Sequence, residues 1–230
     1  MLLVCSPAFG RASRHVPNSV RTAVDDAPLL RSGTAFFVSP EGLMLTSAHN
    51  VTGCQHINIW PQYGPASTAS IRVSDERLDL ALLTTRAVLD AAALVPWGKE
   101  RPARSALYTI GFGMTPSTPR VPVLTRGSMS GVAWAAGRRV LVVRARLYAG
   151  YSGAPVLDTS GALQGVVVGR YSERPELGVV VPTQEIVGFL TSNGVDLWRD
   201  KRRTRLRVGA SERLRRIAVL VQCADAIEGN

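Results

Sequence analysis

Residues 33–51 read GTAFFVSPEGLMLTSAHNV. Two apolar runs flank Ser39-Pro40-Glu41-Gly42, where the proline presets one backbone dihedral and the glycine accepts a left-handed one. The segment therefore predicts a strand, a tight turn and a second strand. The pattern continues as HINIW (56–60), ASIRV (69–73), LDLALLTT (78–85), SALYTIGF (105–112), RVPVLT (120–125), RRVLVVRARL (138–147), APVLD (154–158), ALQGVVVG (162–169) and LGVVVP (177–182). Short β-branched runs punctuated by Gly, Pro and Asp predict an all-β barrel or sandwich. The stretch VPWGKERPARS (95–105), rich in Pro, Lys and Arg, divides them into two sets, so two β subdomains are expected.

After Pro182, TQEIVGFLTSNG predicts one short helix, with Thr183 as cap, Glu185 in the first turn and Gly194 as stop. Beyond it, SERLRRIAVLVQC fits a helix at its start and a strand at its end, and the pattern does not decide between them. The expected organisation is an N-terminal segment (1–24), a first barrel (25–97), a second barrel with closing helix (98–194) and a basic C-terminal extension (195–230).

The chain has 230 residues, 46% of them hydrophobic, enough for a sizeable core. No apolar run approaches the roughly 18 residues of a membrane-spanning helix. The formal net charge is +10, and Lys99 and Lys201 are the only lysines. Nine basic residues fall between Arg199 and Arg216, so the excess charge is concentrated near the C-terminus. Such a run predicts salt-sensitive contact with an anionic surface. It lacks the interleaved aromatic residues of single-strand binders, so no specific nucleic acid is expected as partner. The start, MLLVCSPAFGRAS, ends its apolar stretch in a small-x-small pattern that a signal peptidase could cut before Arg11, although no basic residue precedes it. Export to a periplasmic or extracellular location is the expectation. With Cys5 removed, Cys54 and Cys223 remain, either as unpaired thiols or as a bridge pinning the C-terminal segment to the first barrel.

The chemistry centres on YAGYSGAPVLD (148–158). A serine hydroxyl needs a base, an orienting carboxylate and donors for the developing oxyanion before it can attack an acyl group. Of three histidines, His49 alone stands where a strand ends, as a base would. Asp79 opens the apolar strand LDLALL, where a carboxylate requires a partner such as a histidine N–H. The backbone N–H groups of Gly150 and Ser152 could converge as an oxyanion hole, and Gly153 allows close approach. The order His49, Asp79, Ser152 across two β subdomains reads as a catalytic triad, with no metal or cofactor required.

GTAFFVSPEGLMLTSAHNV, LDLALL and GYSGAPVLDTSGALQGVVVG resemble the three active-site blocks of trypsin-like serine proteases, nearest to the bacterial HtrA-type branch. YTIGFGM and TRGSMSGV resemble that branch's second barrel. The resemblance covers about residues 30–190. It implies a double β-barrel with a cleft between the barrels, peptide-bond hydrolysis of a protein or peptide substrate, and catalytic roles for His49, Asp79 and Ser152. Tyr151 stands where zymogen-activated relatives carry an aspartate, and the chain has no IVGG-like start, so activation by N-terminal cleavage is not expected. Ala154 replaces a glycine frequent in the HtrA-type block. The 36 residues from Val195 onward are too few for a peptide-binding domain of the kind that follows in that branch. The specificity pocket is expected from Arg146, Val167, Val168 and Gly169. Its valines suggest a small apolar side chain; an inward Arg146 would instead favour an acidic one. The alternative function is a catalytically idle relative that captures peptides or polyanions.

Overall fold

The structure is a computed structural model that describes residues 30–87, 97, 99–113, 121–135, 137–195 and 209–224. The expected N-terminal segment and Arg199–Arg207 of the basic run lie outside these residues. Five strands lead the chain: β1 (Leu30–Phe37), β2 (Leu43–Thr46), β3 (His56–Pro61), β4 (Ser67–Asp75) and β5 (Leu80–Thr85). Six more follow: β6 (Ala106–Phe112), β7 (Pro122–Ala135), β8 (Arg138–Arg144), β9 (Pro155–Asp158), β10 (Leu163–Arg170) and β11 (Leu177–Pro182). Helices α1 (Thr183–Ser192) and α2 (Ala210–Ile217) precede the last strand, β12 (Ala218–Ala224). The sheets close as two barrels, β1-β12-β3-β4-β5-β2 and β10-β11-β8-β7-β6-β9. Closure removes the free edges that would otherwise template association.

Both faces of many strands are buried, which explains why the apolar runs are nearly continuous instead of alternating. Ala35 and Phe37 of β1 point into the first barrel with Met44, Ile59, Leu83 and Val221. Phe36 between them joins Leu45, Leu82, Ile110, Phe112, Leu157 and Val181 in a core that spans the two barrels. The Ser39–Gly42 turn forms as its composition predicts. Gly42 has φ +88°, and a β-carbon there would lie 2.2 Å from Thr85 O.

α1 begins one residue differently from the sequence reading. Pro182 holds the N-cap position, and the Thr183 hydroxyl donates instead to Leu163 O at 2.8 Å. Gly194, with φ +72°, follows the helix as expected.

The larger difference lies at the chain's end. Residues 210–224 are not an appendage but a helix and then a strand. Ala210, Arg213, Leu214 and Ile217 are the buried positions of α2, the spacing of one helical face. That face packs on β6 and β9 of the second barrel. At Ala218 the backbone becomes extended, and β12 pairs with β1 on one side and β3 on the other. The β-branched, apolar sequence after Ile217 favours this switch. The first barrel is therefore not confined to residues 25–97. Cys54 and Cys223 form a disulfide with Cα atoms 5.4 Å apart, fastening β12 to the loop that follows His49. Among the described residues no helix is long and apolar enough to cross a membrane.

Candidate active site

His49 lies in the 3-10 turn, Ala48–Asn50, that follows β2. Its Nδ1 is 2.8 Å from Asp79 Oδ2, and its backbone N–H donates to Asp79 Oδ1 at 3.0 Å. One carboxylate thus fixes both the ring and the main chain of the histidine, leaving Nε2 as the ring nitrogen available for a proton. Asp79 enters β5 with φ +55°, a left-handed conformation that aspartate tolerates better than most side chains. Its carbonyl accepts from Ala48 N at 3.2 Å. From β1, Arg31 donates to His49 O at 3.2 Å and Thr52 O at 2.7 Å, bracing the histidine loop beside the disulfide.

Ser152 sits in the turn between β8 and β9. The turn is held to the first barrel through its carbonyls. Ser152 O accepts from Thr34 N and from Asn50 Nδ2, both at 2.9 Å, and Gly150 O accepts from Thr34 Oγ1 at 2.7 Å. Asn50 is the residue after His49, so the histidine and serine segments are linked directly. Among the described residues no hydrogen bond joins Ser152 Oγ to His49. Gly153 has φ +85°, and a β-carbon there would lie 2.0 Å from Thr34 O, so the close seating of the two barrels requires glycine. Tyr151 O accepts from Ala154 N at 2.9 Å, which turns the Ser152 N–H the other way. Among the described residues no acceptor engages the N–H of Gly150 or of Ser152.

Tyr151 runs into the second barrel and is only 1% exposed. Its hydroxyl lies 2.7 Å from Val123 O, to which it donates, and 2.8 Å from Thr125 Oγ1. Its ring fills the notch left by Gly111, where a β-carbon would approach the ring to 2.5 Å. Burial pushes the phenol above its ordinary value, against a smaller opposite effect of the Thr125 hydroxyl. A neutral tyrosine therefore occupies the position before the serine.

The candidate pocket residues separate into different environments. Val167 is buried in the second-barrel core, and its carbonyl accepts from Gly153 N at 2.7 Å. Val168 is half-buried against the inter-barrel core. A side chain at Gly169 would meet open space. Arg146 is exposed and stacks over the Tyr148 ring at 5.8 Å, while Arg170 spans to Leu147 O at 3.3 Å. The sequence reading did not single out Thr34 or Asn50. A polar residue inside each of two apolar stretches was the available signal, since buried polar groups need partners.

The chain is similar to known proteins. The model of the trypsin-like peptidase domain matches residues 33–166. The chain is 27% identical over 182 residues to the serine protease Rv3671c of Mycobacterium tuberculosis, covering 76% of this chain and 45% of that protein. It is 27% identical over 174 residues to serine protease HTR4 of Bos taurus, covering 72% and 35%. The chain thus spans less than half the length of either relative. Among solved structures, the active form of the Rv3671c protease from M. tuberculosis superposes with a TM-score of 0.63 at 20% identity, over 84% of this chain and 96% of that one. The HtrA-type protease AlgW with a decapeptide gives 0.61 at 23% identity, over 70% and 51%.

Proposed function

The chain belongs to the trypsin-like peptidase family, and we propose that it is a serine endopeptidase in which Ser152 is the nucleophile, His49 the general base and Asp79 the carboxylate that orients it. Ser152 Oγ gives its proton to His49 Nε2 as it attacks the scissile carbonyl. Asp79 holds the Nδ1–H and offsets the charge of the imidazolium. The N–H groups of Gly150 and Ser152 receive the oxyanion of the tetrahedral intermediate. His49 then returns the proton to the leaving amine, and water repeats the sequence on the acyl-enzyme. The observation that carries this reading is the double grip of Asp79 on His49, at 2.8 Å and 3.0 Å. A core histidine has no need of it.

Tyr151 supports a site that needs no N-terminal cleavage. Its hydroxyl anchors the turn to β7 from within the barrel, without the aspartate that a freed amine would require. The exposed, stacked position of Arg146 favours a pocket for small apolar side chains, walled by Val168 and open at Gly169. The peptide seen with AlgW fits a protein or peptide substrate here as well. A disulfide beside the site favours an oxidising, exported location.

A fluorophosphonate probe tests the reading. Covalent labelling of the parent and none of Ser152→Ala is expected. A parent that stays unlabelled would leave the binding-only alternative.

A further inference from the structure

Taking Asp79 as the orienting carboxylate of the proposed endopeptidase, we infer that Arg138 is its positioning residue, a strut from the second barrel that fixes the backbone of Asp79. Arg138 opens β8 and extends out of its own barrel. Its Nη1 donates to Leu78 O at 2.6 Å. That carbonyl belongs to the peptide whose N–H is Asp79's own.

The orientation of this peptide plane sets φ of Asp79. The plane is held from both sides, by Arg138 on the carbonyl and by Glu76 O, which accepts the Asp79 N–H at 3.3 Å. Of these, the charged guanidinium makes the shorter and stronger contact. Asp79 is one of two non-glycine residues with positive φ among the described residues. With the Leu78–Asp79 plane pinned, the positive φ of Asp79 fixes the direction of its Cα–Cβ bond, and with it the aim of the carboxylate at His49. Such strained conformations persist where surroundings over-determine them.

Two further observations make Arg138 more than an incidental surface contact. Its Nε is buried with no hydrogen-bond partner among the described residues, so a polar donor is left unmatched to bring Nη1 to this carbonyl. Its neighbour Arg139 is locked in place by Glu100, whose two carboxylate oxygens lie 2.7 Å and 2.6 Å from Nη2. The turn end of the β7–β8 hairpin is thus fixed where Arg138 leaves it. The consequence is mechanical. His49 and Asp79 both belong to the first barrel, yet their geometry depends on a side chain from the barrel that carries Ser152, so the histidine is oriented only when the barrels are correctly docked.

The test compares the parent with Arg138→Met, which keeps the apolar stem, and with Arg138→Lys, which keeps a donor. Three quantities are read: kcat and KM on a quenched casein-derived peptide, the fluorophosphonate labelling rate, and the His49 Nδ1–H signal in heteronuclear NMR of labelled histidine. Arg138→Met is expected to lower kcat roughly 10- to 100-fold, the scale of one charge-assisted hydrogen bond, with KM little changed. It should also weaken the Nδ1–H signal, and Arg138→Lys should recover most of both. A folded Arg138→Met protein with parental kcat and an unchanged signal overturns the strut. Should Arg138→Met fail to fold, Arg138→Lys decides: near-parental kcat and signal support the strut, and loss of neither stability nor signal but of substrate affinity alone overturns it. The signal separates this inference from the functional reading. A parent without turnover or labelling refutes the endopeptidase, while a signal that weakens in Arg138→Met still supports the strut and an unchanged one overturns it.

Discussion

The second barrel draws all its strands, β6 to β11, from one continuous stretch, Ala106–Pro182, whereas the first takes five from Leu30–Thr85 and its sixth from Ala218–Ala224. The second is fastened by polar contacts around Asp158, a buried carboxylate at the end of β9. It accepts from Arg101 Nε at 2.7 Å, Ser160 N at 2.8 Å, Ala162 N at 3.1 Å and Gln164 Nε2 at 3.2 Å. The first is fastened by a covalent bridge across 169 residues of sequence. The barrel that carries His49 and Asp79 therefore closes only when the far end of the chain arrives. The barrel that carries Ser152 closes on itself. The two halves of the site thus stand on supports that different perturbations remove.

Ending the chain at Val195 is the most severe way to expose the difference. β1 and β3 would lose their shared partner, and the core would lose Leu214, Ile217, Val219, Leu220 and Val221. The first barrel is expected to lose cooperative folding outright. Hydrogen exchange should show amides of β1 and β3 unprotected, and a truncated chain with the parental melting temperature would show that the first barrel does not depend on β12.

Removing the bridge by Cys54→Ser with Cys223→Ser should cost about 3–5 kcal/mol in the chain-entropy picture of a long closed loop. Denaturant unfolding measures it. The loss should fall on the first barrel, and an effect spread equally over amides of both barrels would count against separate supports.

Acid should act on the other barrel. Burial alone would raise the carboxyl of Asp158, but hydrogen bonds from the Ser160 hydroxyl, the Arg101 guanidinium and the Ala162 and Ser160 N–H groups more than offset it, so the group titrates below its ordinary value. An unfolded chain therefore binds this proton more readily than the folded one. The stability from Asp158 is present above the ordinary carboxylate range and is lost as pH falls through and below it. Asp158→Asn is expected to cost about 1–3 kcal/mol at neutral pH and to flatten this part of the acid limb. A variant whose acid unfolding matches the parent would contradict the assignment.

The smallest effect is expected from Tyr151→Phe. It removes one buried hydroxyl and leaves Val123 O and Thr125 Oγ1 short of a partner, worth about 1–2 kcal/mol. Because Tyr151 lies between the two proposed oxyanion donors, Gly150 and Ser152, kcat should fall while KM holds, and the fold should remain. Unchanged kcat would make the tyrosine a packing residue only.

The strand-forming runs of both barrels were legible in the sequence, but the contrast in how the barrels close was not. The strands β1 to β11 fall on runs whose β-branched content and Gly, Pro and Asp boundaries mark them locally. The residue types at His49, Asp79 and Ser152 each had a chemical reason to stand where they do. What local pattern could not reveal was where AVLVQC belongs, since the partners of β12 lie about as far away in sequence as the chain allows, with Ser32 opposite Gln222. The switch from α2 to β12 without a connecting turn also left both element types plausible. For the same reason Thr34, Asn50 and Arg138 escaped notice. Each owes its role to a contact between barrels; a polar residue in an apolar stretch marks Thr34 and Asn50 as needing a partner but does not say which one.

In the proposed mechanism, groups from both barrels act as one catalytic unit. The most direct measurement is peptide hydrolysis by Ser152→Ala, His49→Ala and the double variant, each purified free of other proteases and confirmed folded. In a working triad either single change lowers kcat by about 10⁶-fold and the second adds little, because the residues act together. That non-additive pattern is the predicted result. Near-parental turnover by Ser152→Ala, or two losses that simply multiply, would contradict it.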